Sequence, residues 1–224
     1  MRVTSDYSEL LEWATQMRLN PKLVEVWIPL SKFVEAQFDG TSLSITRTDD
    51  PFYGMAFGPN PSFDKRWRNF SVTRGTPKEL TVDFHLKGQW DAYGISTQEF
   101  PVEYLVLEDF DFINRFIEVN APESSIRAED DEVLAWVGIS DVALGAICKW
   151  ESGFHVLSAI AVAQNKRGAG FGKLITKALI DFAFKRGINY VALGVYAKNE
   201  PAIATYQGIG FELLGQFNSF EIDR

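Results

Sequence analysis

The spacing of apolar and polar positions divides the chain into a helical start, a strand-rich middle and a second half in which strands and helices alternate. From residue 6 to residue 19, Tyr7, Leu10, Leu11, Ala14 and Met17 fall on one helical face. Asp6 is placed to cap this helix, with Glu9 three positions on, and Asn20-Pro21 ends it. From Leu23 to Leu86 the period shortens. "LVEVWI", "SLSIT", "YGMAF" and "ELTVDFHL" read as short strands, separated by "FDG", "DDP", "GPNP" and "RGTP", which carry turn chemistry. The aromatic residues of this half, including Trp13, Trp27, Trp67 and Trp90, are assigned to the core, where such clusters mostly sit.

A soft boundary near Pro101 separates an N-terminal extension, residues 1–100, from a second segment, residues 101–224. In the second segment "VEYLVLE" predicts a strand. "DFDFINRFIEVNAP" predicts a helix, with Phe112, Ile113, Phe116 and Ile117 at helical spacing. "EVLAWVGI", "VALGAICKW" and "FHVLSAIAV" predict three strands joined by "SD" and "ESG" turns, an antiparallel meander. A helix follows, with Phe171, Leu174, Ile175, Ala178, Leu179, Phe182 and Ala183 on one face. Gly187 is its expected stop, and Lys185 and Arg186 oppose its dipole. "INYVALGVY" is another strand, Asn199 opens a short helix, and "FELLGQF" with "SFEI" closes the chain. No low-complexity tract or sequence repeat stands out.

Composition narrows the function classes. The 224 residues suffice to bury a substantial core, and 46% apolar with 23% charged residues is ordinary globular composition. No apolar run reaches the roughly 18 residues of a membrane span, and "MRVTSDYSELLEW" lacks the apolar stretch of a secretory leader. The single cysteine, Cys148, excludes an internal disulfide framework and fits a reducing compartment, so a cytoplasmic location is expected. A formal charge of −8 argues against nonspecific nucleic-acid binding and is compatible with a cationic substrate. No metal-ligating cluster is assigned.

The candidate chemistry lies in "VAQNKRGAGFGKLI", residues 162–175, where three glycines in five positions follow an arginine and run into a helix. The first turn of a helix has four amides without internal partners, and its dipole adds about half a positive charge. Residues without a Cβ let a phosphate approach that backbone closely. A P-loop does not fit, because Arg167 stands where its first glycine belongs and Leu174 where its Ser or Thr belongs. A dinucleotide fingerprint does not fit either, because Lys173 occupies its third glycine position. Arg-x-x-Gly-x-Gly does fit, at Arg167, Gly170 and Gly172.

Over residues 101–224 the chain resembles the GNAT superfamily of acetyl-CoA-dependent N-acyltransferases. The resemblance rests on two segments at the family's usual separation. "SAIAVAQNKRGAGFGKLI" is similar to its strand, pyrophosphate loop and helix, and "GVYAKNEPAIATYQGIGF" to its strand followed by Asn, Ala, Tyr and Gly-Phe. The resemblance implies an α+β fold, with a mixed, mostly antiparallel central sheet flanked by helices, here preceded by an N-terminal α/β extension. That extension either lines an acceptor pocket or is a degenerate second copy without a second glycine loop. It further implies that Arg167 and the amides of Gly168, Ala169, Gly170, Phe171 and Gly172 cradle the pyrophosphate of coenzyme A. Ile160, Ala161 and Val162 would pair their backbone with the pantetheine amides, as an added strand does. Asn199 would contact the cofactor, and also suits a helix N-cap. Tyr206 would hydrogen-bond the departing thiolate.

The implied reaction is transfer of an acetyl group from acetyl-CoA to a primary amine on a small molecule or peptide. An amine of pKa near 10.4 costs about 4.6 kcal/mol to deprotonate at pH 7. Many relatives place a Glu five positions before the conserved Asn, but Gly194 stands there in this chain. His155, just ahead of the cofactor strand, is the candidate base, with Glu151 and Ser158 nearby in sequence. A water chain or a low-pKa amine would need no side-chain base. Cys148, in an apolar strand, is assigned to the core rather than to acyl transfer. A CoA-binding sensor without turnover is the alternative reading. Oligomeric state is open, with a homodimer among the states allowed.

Overall fold

The computed structural model describes residues 1–49, 52–76 and 84–222. In chain order the elements are β1 (Arg2–Thr4), α1 (Tyr7–Gln16), α2 (Pro21–Trp27), β2 (Phe33–Phe38), β3 (Leu43–Arg47), β4 (Tyr53–Phe57), β5 (Asn69–Thr73) and β6 (Phe84–Ser96). There follow β7 (Leu105–Leu107), α3 (Phe110–Asn120), β8 (Val133–Ile139), β9 (Ala143–Lys149) and β10 (His155–Val162). The chain ends with α4 (Phe171–Lys185), β11 (Tyr190–Tyr196), α5 (Glu200–Ile209) and β12 (Glu212–Ile222). "ELTVDFHL" falls largely outside the described residues, which resume at Phe84.

Local chemistry explains most of these boundaries. Asp6 caps α1, its side chain accepting from the Ser8 amide at 2.8 Å. The segment "LVEVWI", which reads as a strand, is instead part of α2. Asn20 accepts from the Lys22 amide at 2.9 Å and Pro21 takes the first helical position. The Asn-Pro pair therefore starts α2 but does not end α1, which stops earlier at its C-cap Met17, with Arg18 at φ of 56°. A run of six residues carries too little periodicity to separate strand from buried helix, and Leu23, Val24, Val26 and Trp27 are all buried.

The chain forms two compact units. The first contains Met1–Ala92, Tyr196–Lys198 and Leu213–Arg224; the second contains Tyr93–Val195 and Asn199–Glu212. In the first, strand order runs β1-β2-β3-β4-β5-β12-β6. In the second, it runs from the end of β6 through β11, β10, β9 and β8 to β7. Each unit uses the same pairing scheme. β1/β2, β2/β3 and β3/β4 are antiparallel and β4/β5 is parallel. β7/β8, β8/β9 and β9/β10 are antiparallel and β10/β11 is parallel. Helices follow the first strand in both, α1 and α2 in one and α3 in the other. The crossover into the parallel strand differs. Residues 58–68 make it without a helix, whereas β10 reaches β11 through α4.

In the first unit β4 and β5 stay in register from Tyr53/Asn69 to Ala56/Val72. The Trp67 indole lies against Gly54 and donates to the Thr46 hydroxyl at 2.9 Å. Phe63, Phe70, Phe84 and Phe220 extend this aromatic core. Trp13, Trp27 and Trp67 are buried, and Trp90 stacks on Phe217 at 4.6 Å while donating to Ser219 at 2.8 Å. The assignment to the core holds for Trp13, Trp27 and Trp67, whereas Trp90 is half-buried.

In the second unit one apolar cluster joins Val137, Ile139, Ile147 and Leu157 of the sheet to Ile175, Ala178, Leu179, Phe182 and Ala183 of α4. Gly145 permits the closeness, because a Cβ there would lie 2.8 Å from the Leu179 side chain. α4 buries more than its expected stripe: Thr176, Ile180 and Asp181 are enclosed as well. Asp181 accepts from the Phe100 amide at 3.0 Å and pairs with Lys185 at 2.7 Å, which fixes the 97–104 segment to the helix. Burial raises the Asp181 pKa, but Lys185 and the Phe100 amide outweigh it and hold the carboxyl below its usual range.

Gly54→Ala is expected to destabilise the protein by about 1–3 kcal/mol, because the new methyl overlaps the buried Trp67 ring. Urea unfolding monitored by tryptophan fluorescence measures this, and an unchanged midpoint would contradict the packing described.

Candidate active site

The site is built on β10. From His155 to Val156 this strand pairs with both neighbours, β9 on one side and β11 on the other. After Val156/Ala192 the parallel pairing stops, while pairing with β9 continues to Val162/Ala143. A bulge interrupts the β9 side between Ser158/Ala146 and Ala161/Leu144, three steps on β10 against two on β9. Ala159 occupies the bulge with φ of 50°. A residue with a Cβ costs about 1–2 kcal/mol in this conformation. The edge of Ser158–Val162 that β11 leaves free thus offers main-chain groups to another partner. Ile160, Ala161 and Val162 lie on this stretch.

Beyond β10 a short 3-10 turn, Gln164–Lys166, leads through Arg167 to α4. Gly168 and Gly170 have φ of 78° and 85°, and Gly170 is the N-cap of α4 without any side-chain cap. The Leu174 amide is the first to enter the helical ladder, donating to the Gly170 carbonyl at 3.1 Å. The amides of Gly168, Ala169, Gly170, Phe171, Gly172 and Lys173 have no acceptor among the described residues. A Cβ built at Gly168, Gly170 or Gly172 would meet nothing within 4 Å. Gly172 therefore has no steric reason inside the chain to lack a side chain, and glycine costs about 1 kcal/mol against alanine in a helix. Free donors, open space and a helix N-terminus converge at this loop, an arrangement that suits a diphosphate.

Arg167 is placed differently from a free phosphate ligand. Its Nε donates to the Val162 carbonyl at 3.3 Å and its Nη2 to the Asn120 carbonyl at 2.8 Å. Asn199 is the N-cap of α5, its Oδ1 accepting from the Ala202 amide at 3.3 Å. Tyr206, on α5, is buried in the same apolar cluster that Ile160, Val162, Phe171 and Leu174 pack against. Its ring lies 5.6 Å from that of Phe211. Its hydroxyl has no hydrogen-bond partner among the described residues, and burial pushes its pKa up to about 12. The phenol is neutral throughout the physiological range.

His155 lies at the start of β10, opposite Lys149 and beside Val191, in the doubly paired part of the strand. Ser158 lies three positions further on, about 10 Å along an extended chain. Burial and the Lys149 charge lower its pKa, so its imidazole is neutral at pH 7. Cys148 is fully buried on β9, and burial pushes its pKa up to about 11, with Glu132 and Asp130 adding to the rise against the Ser158 hydroxyl. A protonated, enclosed thiol cannot act as an acyl carrier. Gly194 is exposed on β11, so no side chain projects from that position.

The structure thus gathers Ile160, Val162, Phe171 and Tyr206 around one cluster, continues Ala161 into the glycine loop, and leaves His155 at the other end of β10. Three residues went unread in the sequence. Ala159 is visible only through its backbone angle. Asn120 and Gln164 bond each other across 44 positions, and nothing local in the sequence signals such a pairing.

The Acetyltransferase (GNAT) family model matches residues 90–211, over half of the chain, and the protein belongs to that family. A mycothiol acetyltransferase from Corynebacterium urealyticum is 42% identical over 55 residues, 25% of this chain and 16% of that one. A streptothricin acetyltransferase from Streptomyces lavendulae is 39% identical over 56 residues, 25% of this chain and 30% of that one. The matches therefore span less than a third of the length of these relatives. The crystal structure of a GCN5-related N-acetyltransferase from Sphaerobacter thermophilus has the same fold, with a TM-score of 0.56 over 90% of this chain and 84% of that chain at 12% identity. The fold is the α+β arrangement of this family, and no helix among the described residues is long and apolar enough to cross a membrane.

The Tyr206 environment has a measurable consequence. A pKa raised in the folded state gives a stability contribution that is complete below the unfolded value near 10 and is lost as pH rises towards about 12. The stability difference between the protein and Tyr206→Phe should therefore change between pH 10 and 12 and be constant from pH 7 to 9. A difference that already varies below pH 9 would contradict the buried, unpartnered phenol.

Proposed function

We propose that the protein is an N-acetyltransferase that moves an acetyl group from acetyl-CoA directly to a primary amine, with the site residues confined to the 101–224 segment. The observation that carries this reading is the run of amides from Gly168 to Lys173 without an acceptor among the described residues, which follows the free edge of β10 after a turn at residues 163–167. Acetyl-CoA would supply an activated thioester. The loop amides would hold its diphosphate, and the Ser158–Val162 edge would take its pantetheine amides as an added strand does. Asn199, which among the described residues uses only its Oδ1, would keep its amide nitrogen for the same ligand. The open space beside Gly168, Gly170 and Gly172 fits this assignment.

Tyr206 would stand by the departing sulfur. A phenol of pKa about 12 protonates a thiolate of ordinary pKa near 8.5 only against about 5 kcal/mol. Its role is therefore to donate a hydrogen bond to developing negative charge rather than to transfer its proton outright. Because Cys148 is enclosed and protonated, the acyl group would pass straight to the amine. Catalysis would come mainly from holding thioester and amine together. His155 is the candidate base, having the neutral form that a base requires. The acceptor belongs to the class of small-molecule or peptide amines. The names of two partial relatives, mycothiol and streptothricin acetyltransferase, favour a small molecule. A CoA-binding sensor without turnover is the second reading, and the exposed Gly194 in place of a carboxylate favours it.

Free-thiol release from acetyl-CoA, measured against a panel of amines, separates the two readings. The enzyme reading expects amine-dependent release, with Tyr206→Phe lowering turnover more than CoA affinity. Gly170→Asp is expected to remove CoA-dependent thermal stabilisation, since it puts a carboxylate at the diphosphate. Unchanged CoA binding in Gly170→Asp would sink the loop assignment, and stabilisation by CoA with no thiol release under any amine would favour the sensor. His155→Ala is expected to shift the acidic limb of the pH–rate profile. An unaltered profile would assign deprotonation to water or to the acceptor itself.

A further inference from the structure

We propose that Asn120, Gln164 and Arg167 form a clamp that presets the glycine loop for its anion, and that Arg167 acts through this clamp rather than as a phosphate ligand. The inference rests on the reading that the loop holds the diphosphate of CoA. The last turn of α3 ends in carbonyls without intrahelical partners and contains no basic residue of its own. The loop satisfies them. Gln164 Nε2 donates to the Val119 carbonyl at 3.1 Å, and Arg167 Nη2 donates to the Asn120 carbonyl at 2.8 Å. The guanidinium also places a positive charge at the negative end of that helix dipole. In return, Asn120 Oδ1 accepts from the Gln164 amide at 3.1 Å. The Asn120 side chain is itself oriented by a bond from Nδ2 to the Phe116 carbonyl at 2.9 Å. Arg167 Nε, bonded to the Val162 carbonyl at 3.3 Å, ties the same guanidinium back to the end of β10.

These bonds matter because little else orders the loop. Residues 164–170 are exposed and bury no apolar side chain, and two glycines within them have positive φ. Fixing such a backbone costs roughly 1–2 kcal/mol per residue in entropy, which a ligand must supply unless the protein has already done so. Arg167 spends its Nε and Nη2 on two carbonyls that lie on different elements. A lysine keeps the charge but cannot reach both acceptors with one planar fork. Substitution with lysine therefore separates a charge effect from an anchoring effect.

The test compares Asn120→Ala, Arg167→Lys and Arg167→Ala with the unsubstituted protein. Calorimetry gives the CoA dissociation constant, and steady-state kinetics give KM for acetyl-CoA and kcat. Asn120→Ala removes no charge, yet it is expected to weaken CoA about three- to tenfold, the range for one lost hydrogen bond, with KM rising alike and kcat unchanged. Arg167→Lys is expected to lose as much affinity as Arg167→Ala. Full CoA affinity in Asn120→Ala, or recovery of affinity by lysine, would overturn the clamp. Hydrogen exchange at the Lys166 and Leu174 amides of the CoA-free protein reads the clamp without any ligand. Faster exchange in Asn120→Ala supports it, and unchanged exchange overturns it. If the unsubstituted protein binds no CoA, the proposed function fails while the exchange measurement still decides the clamp.

Discussion

Main-chain hydrogen bonding on β10 is satisfied from both sides only as far as Val156, and the rest of the site follows from what happens after that point. A strand inside a sheet has no spare donors or acceptors. This one keeps its β9 partner through a bulge but gives up its β11 partner, so one edge of Ser158–Val162 is left to bond something else. The loop that follows the strand adds six amides with no acceptor among the described residues, and α4 adds the positive end of its dipole. The unsatisfied groups fall in two stretches, Ser158–Val162 and Gly168–Lys173, separated by residues 163–167, among which the Ala163, Gln164, Lys166 and Arg167 amides are bonded. A long ligand with an anionic end and amides along its length matches that arrangement better than a compact one.

The first unit shows that topology alone does not create such a site. Its strands β1–β5 repeat the pairing of β7–β11, including a parallel pair after three antiparallel ones. There, however, the parallel pair stays in register over four residue pairs, and Trp67 covers Gly54. Its crossover contains no helix, so no helix N-terminus brings its dipole to the strand end. Whether this scheme produces an anion site depends on the connection between the parallel strands and on whether they part. The aromatic content of the N-terminal half, which suggests a core, is what fills the equivalent region.

Side-chain charge contributes little to the chemistry proposed. Tyr206 is held neutral by burial, His155 is neutral at pH 7, and Cys148 stays a thiol. The guanidinium of Arg167 is directed at two carbonyls. The electrostatics of the site therefore come from oriented main-chain dipoles, which need no counter-charge and do not titrate. A main-chain site of this kind accommodates a ligand that enters charged and leaves charged, because its donors are set before the ligand arrives.

Much of this was legible from residue types. The helix spacing of Phe171–Ala183, the glycines after Arg167 and the cap at Asn199 are local signals, and the elements appear where those signals put them. The meander of β8, β9 and β10 was equally plain, because its turns are short and its strands apolar. The sequence alone did not separate α2 from a strand, since a run of six residues, five of them buried, looks alike in either state. It also gave no sign of the bulge at Ala159, the end of pairing at Val156, the Trp67–Gly54 contact or the Asn120–Gln164 bond. Each of these joins groups that are distant in the chain, or depends on a backbone angle that no residue type demands. Local propensity and periodicity decided which segments are helix and which are strand. Only the tertiary arrangement decided which hydrogen-bonding groups would be left over, because that depends on where neighbouring elements stop pairing.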